Sequence, residues 1–203
     1  MGLYVGHFDF AHPLLWTVPD LYTPEECASM LAAVAGHEWL AATVNSAEGR
    51  VVETKIRDNT LAVLRDPTIS EELYRRILPH VPREMRAELS GEAGVRMEVT
   101  GVHVPARIYR YEVGQHFGMH QDQSYFREDG AKSLLTLMVY LNEGFAGGDT
   151  EFPEQGRTIV PKVGSALLFQ HMLVHAGKRV EQGTKFVLRS DVLYKRVDGG
   201  TGR

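Results

Sequence analysis

Two histidines and an aspartate stand close together in the run GQHFGMHQDQSY, residues 114–125. If this run is extended, side chains two residues apart point the same way, so His120 and Asp122 project together. The two glycines of the run argue against a helix, in which His116 and His120 would share one face. In a strand, His116 lies about 13 Å from His120, too far for both to bind one ion directly unless the chain bends. The pattern predicts one imidazole and one carboxylate converging on a metal ion.

A third ligand has to come from another part of the chain, because two protein ligands do not hold a labile divalent metal. The run QHMLVHAG, which follows the strand-like SALLFQ, offers His171 and His175. Either side chain faces inward, depending on where the strand breaks. A His-x-Asp pair with a distant histidine is the facial triad of non-haem Fe(II) oxygenases, and it leaves open coordination positions on the metal.

Lys185 opens the strand-like run KFVLRSDVLY, ten residues after His175. A site that holds a keto acid on its metal must also neutralise the far carboxylate of that acid, since a buried carboxylate without a cation is costly. The alternative is a solvated lysine at a strand end, which is the ordinary case for a single lysine. The fixed offset from His175 favours the first interpretation, and it favours His175 over His171 as the third ligand.

The same run places further polar side chains on the face of Lys185. By the period of two, that face consists of Lys185, Val187, Arg189 and Asp191. We therefore expect Arg189 and Asp191 to point inward. Two interpretations stay open, namely a buried ion pair that fixes the strand and recognition of a polar substrate by Arg189.

Two amphipathic helices are predicted in the first half of the chain. In TPEECASMLAAVAG, Thr23 is the N-cap, Pro24 the first helical residue and Glu26 the partner in a capping box. In DPTISEELYRRILP, Asp66 and Pro67 open the second helix. Both helices need an apolar surface to pack against.

From about residue 95 the chain changes to short β-branched and aromatic runs separated by glycine and proline. Regular short strands favour a sandwich or barrel over a parallel sheet with crossover helices. We expect a mainly β fold in a single domain, 1–203, with a helical support region 1–94, a β core 95–196 and a loose tail 197–203. The predicted strands are VRMEVTGVHV, ARIYRY, SLLTLMVYLN, RTIVP, SALLFQ and KFVLRSDVLYKR.

Composition excludes several classes of function. With 203 residues and 43% hydrophobic residues, the chain is long enough to bury one ordinary core. A net charge of -4 with dispersed basic residues lacks the footprint of a nucleic-acid binder. The single cysteine, Cys27, excludes an intramolecular disulfide and a cysteine metal site. No signal-like or membrane-spanning run is present, so we expect a cytoplasmic protein without a membrane partner, acting on a small molecule or a peptide.

Four runs together resemble the prolyl 4-hydroxylase-like branch of the Fe(II)- and 2-oxoglutarate-dependent dioxygenases. They are RYEVGQHFGMHQD, LLTLMVYLNEGFAGGDTEFP, VPKVGSALLFQH and HAGKRVEQGTKFVLRSDVLY. The resemblance implies a double-stranded β-helix, also called a jelly roll or cupin-like fold. It implies Fe(II), 2-oxoglutarate and O2, with ascorbate as an optional addition, and hydroxylation of an unactivated C–H bond with succinate and CO2 as coproducts.

The resemblance also assigns residues. It maps the iron ligands, which are also the catalytic residues, onto His120, Asp122 and His175, and the residue that binds 2-oxoglutarate onto Lys185. In related enzymes, tyrosines at two further positions help to form the cosubstrate pocket, and Thr136 shares a strand face with one of them and is expected to line the pocket too. The two tyrosines are Tyr111 and Tyr140. The alternative for each is a half-buried barrel aromatic with its hydroxyl bonded locally.

The substrate is the least determined part of the site. Prolyl hydroxylases commonly carry a bulky aromatic where Asp191 stands, which puts proline in doubt. A prolyl peptide, an amino acid and a small metabolite stay open, and the polar loops TKIRDNT and SYFREDGAK are candidate lids. The candidate substrate contacts are Arg57, Asn59, Phe117, Arg127, Arg189 and Asp191. The competing functions are a non-catalytic cupin-like metal-binding or sensor module and an oxygenase that uses no keto acid.

Overall fold

The structure is a computed structural model that describes residues 8–46 and 49–197. Residues 198–203 of the predicted tail lie outside the described residues. The first elements are β1 Leu15–Val18, α1 Pro24–Val34, β2 Leu40–Ala41, β3 Val44–Ser46, β4 Gly49–Val51, β5 Thr60–Leu64, α2 Pro67–Ile77, a 3-10 turn Leu78–His80 and β6 Glu84–Leu89. None of the helices in the described ranges has the length and apolar character needed to cross a bilayer.

The second part of the chain is built almost entirely of strands. They are β7 Glu92–Val102, β8 Ala106–Tyr111, β9 Phe117–His120, β10 Lys132–Tyr140, β11 Ala146–Gly147, β12 Thr150–Phe152, β13 Arg157–Ile159, β14 Ala166–Gln170, β15 His175–Gly177, β16 Val180–Gln182 and β17 Lys185–Arg196, with a 3-10 turn at Pro153–Gln155. Each of the six strands predicted after residue 95 is present.

Two antiparallel sheets face each other. The main sheet has nine strands in the order β1-β14-β10-β17-β8-β5-β2, with β7 paired to β17 and β6 paired to β7. The smaller sheet has the order β13-β12-β15-β9. Side-chain rings from the two sheets pack against each other in the space between the sheets. The ring centroid of Phe169 in β14 lies 4.5 Å from the ring centroid of His175 in β15 and 5.1 Å from the ring centroid of Phe152 in β12. This arrangement confirms the predicted jelly-roll fold.

The period of two divides the main sheet into a helix-facing side and a site-facing side. On β10, Leu135, Leu137 and Val139 belong to the larger apolar cluster, which also contains Leu73 and Ile77 of α2. The alternate residues of β10 point into the space between the sheets, where a second cluster includes the ring of Tyr140. The helices therefore stabilise the sheet from behind and leave its inner face for the site.

The two helices begin where the sequence predicts. The Thr23 backbone N–H donates to Glu26 Oε2 at 2.8 Å, and the Glu26 N–H donates to Thr23 Oγ1 at 3.2 Å, which completes the capping box. Asp66 Oδ1 accepts from the Thr68 N–H at 2.9 Å at the start of α2. These local bonds satisfy backbone donors that a helix end leaves free.

The region predicted as helical support also contributes strands, which the sequence analysis did not predict. β1, β2 and β5 extend the main sheet, and β6 pairs with β7. β2 is only two residues long, and β5 alternates weakly between half-buried and buried positions. Such strands carry little local signal, since their pairing with distant partners stabilises them.

Candidate active site

Two strands of the smaller sheet bring the predicted metal ligands together. β15 pairs with β9 so that His175 lies opposite His120. Asp122 follows β9, and its Oδ1 lies 3.6 Å from His120 Nε2 while its Oδ2 lies 3.7 Å from His175 Nε2. One ligand atom from each of the three side chains lies within 4.8 Å of the others. Such a set of two imidazoles and one carboxylate is suited to a non-haem Fe(II) ion.

Hydrogen bonds at the far side of each ring fix which nitrogen faces the centre. His120 Nδ1 lies 2.8 Å from the Gly118 carbonyl oxygen, and His175 Nδ1 lies 3.0 Å from that of Leu173. A carbonyl only accepts, so each Nδ1 carries the proton and each Nε2 keeps a lone pair turned toward Asp122. The three residues therefore fit a divalent metal in ligand type, tautomer and orientation.

The charges of the site are also suited to metal binding. Burial by itself would raise the pKa of Asp122, but the positive charge of Arg189 beside it, with the two imidazoles, holds that pKa well below its usual range. Arg189 Nη2 lies 2.8 Å from Asp122 Oδ1. Burial, together with the neighbouring His120, lowers the pKa of His175 to about 3. At neutral pH the carboxylate is therefore charged and the His175 ring is neutral, which is the form that binds a metal.

A buried chain of hydrogen bonds supports the carboxylate from the main sheet. Thr136 Oγ1 donates to Asp122 Oδ2 at 2.6 Å and lies 2.9 Å from His171 Nδ1. His171 Nε2 lies 2.8 Å from Ser133 Oγ, which accepts from the Tyr125 N–H at 2.8 Å. Because Thr136 has one proton and gives it to the carboxylate, it accepts from His171 Nδ1–H, and Ser133 then donates to Nε2. The donor and the acceptor of each hydrogen bond in this network are therefore determined.

This network explains why His171 is not the third ligand. Its ring is buried, and burial lowers its pKa, so it stays neutral with both nitrogens engaged by hydroxyl groups. It also corrects the expected role of Thr136. The sequence predicts that Thr136 lines the cosubstrate pocket, but its hydroxyl is used to orient Asp122. A period of two places the residue on the correct face, and the position along the strand decides what it contacts.

A cation lies in the same cavity as the three ligands. Lys185 is 3% exposed, and its ammonium donates to the Gly148 carbonyl oxygen. Its Nζ lies 5.5 Å from the ring centroid of Tyr111 and 5.4 Å from that of Tyr140. Burial lowers the pKa of Lys185 to about 8, against the opposing charge of Asp149. Lys185 forms no ion pair within the described ranges, so an anionic ligand would relieve the cost of burying its charge.

The cavity around Lys185 is narrow and continuous with the metal ligands. Its lining includes Tyr111, Thr150 and Val187 together with the three ligands. The Tyr140 hydroxyl lies 2.9 Å from Thr150 Oγ1, and the Tyr140 ring is fully buried behind Lys185. Tyr111 therefore lines this cavity and Tyr140 lies beside it against Lys185, and the part of both tyrosines in binding a cosubstrate stays a prediction. Thr150 was not predicted, and only the pairing of β12 with β15 brings it there.

A second, wider cavity of about 350 Å³ opens beside the same ligands. Arg57 lies between the two cavities, where its guanidinium carbon is 4.4 Å from the Tyr109 ring centroid and 4.2 Å from that of Phe117. Asn59 accepts from Arg57 Nε at 2.8 Å and so holds the guanidinium in place. The Phe117 ring stacks on His120 with centroids 3.5 Å apart. These contacts bring Arg57 and Phe117 to the site and give Asn59 a supporting role.

Other predicted positions fall elsewhere. Arg127 pairs with Asp129 at 2.8 Å on the surface and lines neither cavity, so the structure does not bring it to the site. His116 Nδ1 lies 3.5 Å from Asp58 and outside the ligand cluster, as its spacing predicts. A third cavity of about 300 Å³ lies behind Asp122, and neither His120 nor His175 lines it. The wider cavity beside the ligands is therefore the better candidate for a substrate.

Arg189 and Asp191 both point inward, as the period of two predicts. Arg189 Nη2 lies 3.5 Å from Asp191 Oδ1 and closer to Asp122, so its charge is shared between two carboxylates. Two cavity residues that the sequence analysis missed, Arg107 and Tyr109, lie on β8 directly opposite Arg189 and Val187. The alternation in ARIYRY, counted back from Tyr111, places Tyr109 and Arg107 on the same face and could have predicted them.

Known proteins resemble the chain in this same region. The model of the 2OG-Fe(II) oxygenase superfamily matches residues 106–190, which contain all three ligands and Lys185. A protein of Acanthamoeba polyphaga mimivirus named as a prolyl 4-hydroxylase is 31% identical over 99 residues, 40% of this chain and 41% of that protein. An Arabidopsis thaliana protein named "Probable prolyl 4-hydroxylase 10" is 26% identical over 203 residues, which are 82% of this chain and 64% of that protein.

A solved structure extends the likeness to the fold of nearly the whole chain. A Pseudomonas putida prolyl-4-hydroxylase superposes with a TM-score of 0.60 at 16% identity, covering 94% of this chain and 96% of that one. At this identity the superposition shows the shared fold. The chain spans less than two thirds of the length of the two relatives above, at 41% and 64%. The region that matches the 2OG-Fe(II) oxygenase superfamily therefore contains the whole His-Asp-His cluster, and the fold of the solved prolyl-4-hydroxylase extends over nearly all of the chain.

Proposed function

We propose that this chain is an Fe(II)- and 2-oxoglutarate-dependent dioxygenase that hydroxylates an unactivated C–H bond of a prolyl peptide, an amino acid or a small metabolite. The observation that carries the proposal is the position of Lys185. A buried ammonium without a carboxylate partner in the described ranges lines the same cavity as two imidazoles and a carboxylate. A plain metal-binding barrel has no use for such a charge.

The residues have separate roles on this proposal. His120, Asp122 and His175 would hold the iron, which when bound supplies the oxidative decarboxylation of 2-oxoglutarate by O2 and the transfer of one oxygen atom to the substrate. Thr136 and Arg189 keep Asp122 ionised and oriented. No side chain has to act as a general acid or base.

Lys185 selects the cosubstrate on this proposal. Its ammonium neutralises the carboxylate of 2-oxoglutarate farthest from the metal ligands. The rings of Tyr111 and Tyr140 flank the ammonium and restrict its orientation. Thr150, already bonded to Tyr140, offers a hydroxyl on the same wall. Val187 and the buried aromatic rings exclude water from the narrow cavity.

The alternative of a non-catalytic cupin-like module leaves Lys185 without a role, and an oxygenase without a keto acid leaves it equally unexplained. The single domain, the cytoplasmic location and the optional use of ascorbate stay predictions from the sequence. The names of the relatives support a peptidyl proline as one substrate class, whereas Asp191 on the inner face supports a more polar molecule.

Succinate release tests the proposal. Purified protein with Fe(II), O2 and 2-oxoglutarate is expected to release succinate in excess of its uncoupled rate when a suitable proline peptide, amino acid or metabolite is added. Under anaerobic conditions, Fe(II) and 2-oxoglutarate together are expected to give the weak visible charge-transfer band of an iron-bound keto acid. Absence of both the band and metal-dependent 2-oxoglutarate binding would reject the function.

A further inference from the structure

We propose that the wider cavity binds a free amino acid, recognised by its unblocked ammonium and carboxylate groups, as the substrate of this site. The inference rests on the proposed function and narrows its substrate class. It selects the zwitterion among the prolyl peptides, amino acids and metabolites that the site geometry leaves open.

The cavity is separate from the cosubstrate pocket but shares the metal ligands with it. Along the inner face of β17, Lys185 begins the strand and Asp191 follows six residues later, with Val187 and Arg189 between them. Lys185 lines only the narrow cavity, and Asp191 lines only the wider one. His120 and Asp122 line both. A molecule in the wider cavity therefore lies against the metal ligands without competing for Lys185.

Asp191 supplies the acceptor for an ammonium group. The residue is 7% exposed, and its Oδ1 is buried without a hydrogen-bond partner in the part of the chain that the structure describes. Arg189 Nη2 lies 3.5 Å from this oxygen and is drawn instead toward Asp122. The Asp191 carboxylate lines the wider cavity, so a ligand there that donates to this carboxylate would offset the cost of its unpartnered oxygen. A primary or secondary ammonium is the donor of matching charge.

Arg107 supplies the partner for a carboxylate. It lies on β8, directly opposite Arg189 in register, so the two guanidinium groups enter the cavity from the same face of the sheet. Arg189 is paired and Arg57 is held by Asn59, but Arg107 forms no ion pair or hydrogen bond through its side chain within the described ranges. An uncommitted guanidinium facing a cavity is suited to a carboxylate.

The size and remaining walls of the cavity fit a small molecule. Its volume of about 350 Å³ lies at the low end of ligand pockets. The rings of His103 and Tyr125, with centroids 4.0 Å apart, form one wall, and Val44 and Ile56 form an apolar part. An internal prolyl residue of a peptide has neither an ammonium nor a carboxylate, so it would leave Asp191 Oδ1 without a hydrogen-bond donor and Arg107 without an anion. Sites built around buried polar groups reject ligands that lack the matching groups.

Blocked ligands test the inference on the unaltered chain. Protein with Fe(II) and 2-oxoglutarate is dialysed anaerobically against the common L-amino acids, proline included, and against their N-acetyl and carboxamide derivatives. We expect at least one free amino acid to bind, and either block to weaken its binding by about tenfold or more. Equal binding of free and blocked forms would overturn the proposal, as would binding confined to capped peptides with an internal proline.

Variants assign each end of the ligand. In Asp191→Asn, the affinities for an amino acid and for its N-acetyl form are expected to become equal. In Arg107→Gln, the affinities for an amino acid and for its carboxamide are expected to become equal. Arg157→Gln, an exposed position on β13, is the matched control and should change neither ratio. Asp191→Asn or Arg107→Gln protein that folds and keeps both ratios contradicts the assignment. If a variant folds poorly, the binding of free and blocked ligands to the unaltered chain decides the question.

The proposed function and this inference fail separately. A visible 2-oxoglutarate band without binding of any free amino acid would overturn the inference and leave the function standing. Absence of both the band and metal-dependent 2-oxoglutarate binding, together with amino-acid binding that both blocks weaken, would reject the function and leave the cavity as an amino-acid binding site without that chemistry.

Discussion

His175 of β15 lies directly opposite His120 of β9, and each ring donates its Nδ1 proton to a carbonyl oxygen two residues before it in the chain. The register of two short strands therefore sets the separation of the two imidazoles, and backbone carbonyls set their tautomers. Asp122 then needs only to follow β9 in order to complete the cluster. Strand pairing therefore builds the metal site. Because backbone pairing holds the ligands, replacing one ligand side chain is expected to change metal binding without disrupting the strands.

Replacing His120 with alanine is expected to lower the affinity for Fe(II) by more than about a hundredfold, because one of three ligands is lost. The visible band of the anaerobic complex with 2-oxoglutarate should disappear. His116→Ala is the matched control, since His116 lies next to Asp58 outside the cluster. Normal absorbance in the His120→Ala protein would contradict the ligand assignment.

Lys185→Ala is expected to weaken 2-oxoglutarate binding by about thirtyfold or more while leaving the affinity for Fe(II) unchanged, because a buried charge pair is broken without touching a metal ligand. Binding of each is measured by anaerobic titration. Lys178→Ala, which removes a half-exposed lysine near Glu151, should alter neither constant. Equal losses in both affinities would show that Lys185 supports the fold of the whole site.

The affinity for 2-oxoglutarate should depend on pH through Lys185. Burial lowers its pKa to about 8, and only the ammonium form attracts the carboxylate. The dissociation constant is therefore expected to be flat below about pH 8 and to rise about tenfold per pH unit above it. Lys185→Arg, whose guanidinium keeps its charge, should abolish this rise. A rise of equal slope in both proteins would assign it to another group.

Thr136→Val tests the hydrogen bonds behind Asp122. The variant removes the donor to the carboxylate and leaves His171 Nδ1 unpaired, so we expect an iron affinity about ten- to hundredfold lower. The free energy of unfolding should fall by about 1–3 kcal/mol in the metal-free protein, as measured by urea titration. Thr158→Val, at an exposed position on β13, is the control. Unchanged iron affinity would remove Thr136 from the metal-supporting set.

Gly148→Ala tests the wall behind Lys185. Gly148 has a φ of +69°, and a Cβ there would lie 3.1 Å from Lys185 Cδ. Gly156 has a φ of +58° with open space around a Cβ, so Gly156→Ala carries similar backbone strain, of about 1–2 kcal/mol, without the contact. We expect Gly148→Ala to lose more stability than Gly156→Ala, because its Cβ would also lie 3.3 Å from Phe145 and Val180, and we expect only Gly148→Ala to bind 2-oxoglutarate more weakly. Equal affinities of the two variants for 2-oxoglutarate would show that the Lys185 side chain moves away from the added Cβ without weakening binding.

Local chemistry in the sequence determined a large part of this fold. The caps at Thr23 and Asp66 and the alternation in the six late strands depend on neighbours within a few residues, and the structure has these elements where the patterns predict them. The same alternation placed Lys185, Arg189 and Asp191 on one face, which they share in the structure. The strands before residue 92 were missed because they are short and are stabilised by partners far along the chain.

Side-chain types and spacing were enough to nominate His120, Asp122, His175 and Lys185, because ligand chemistry and strand period are local properties of the sequence. Only the tertiary structure decided that Thr136 turns to Asp122, that Arg127 stays on the surface, and that Asp191 retains a buried oxygen without a hydrogen-bond donor among the described residues. Those outcomes depend on which distant strands pair and in which register. A register is fixed by the packing of the whole sheet, which no short stretch of sequence encodes.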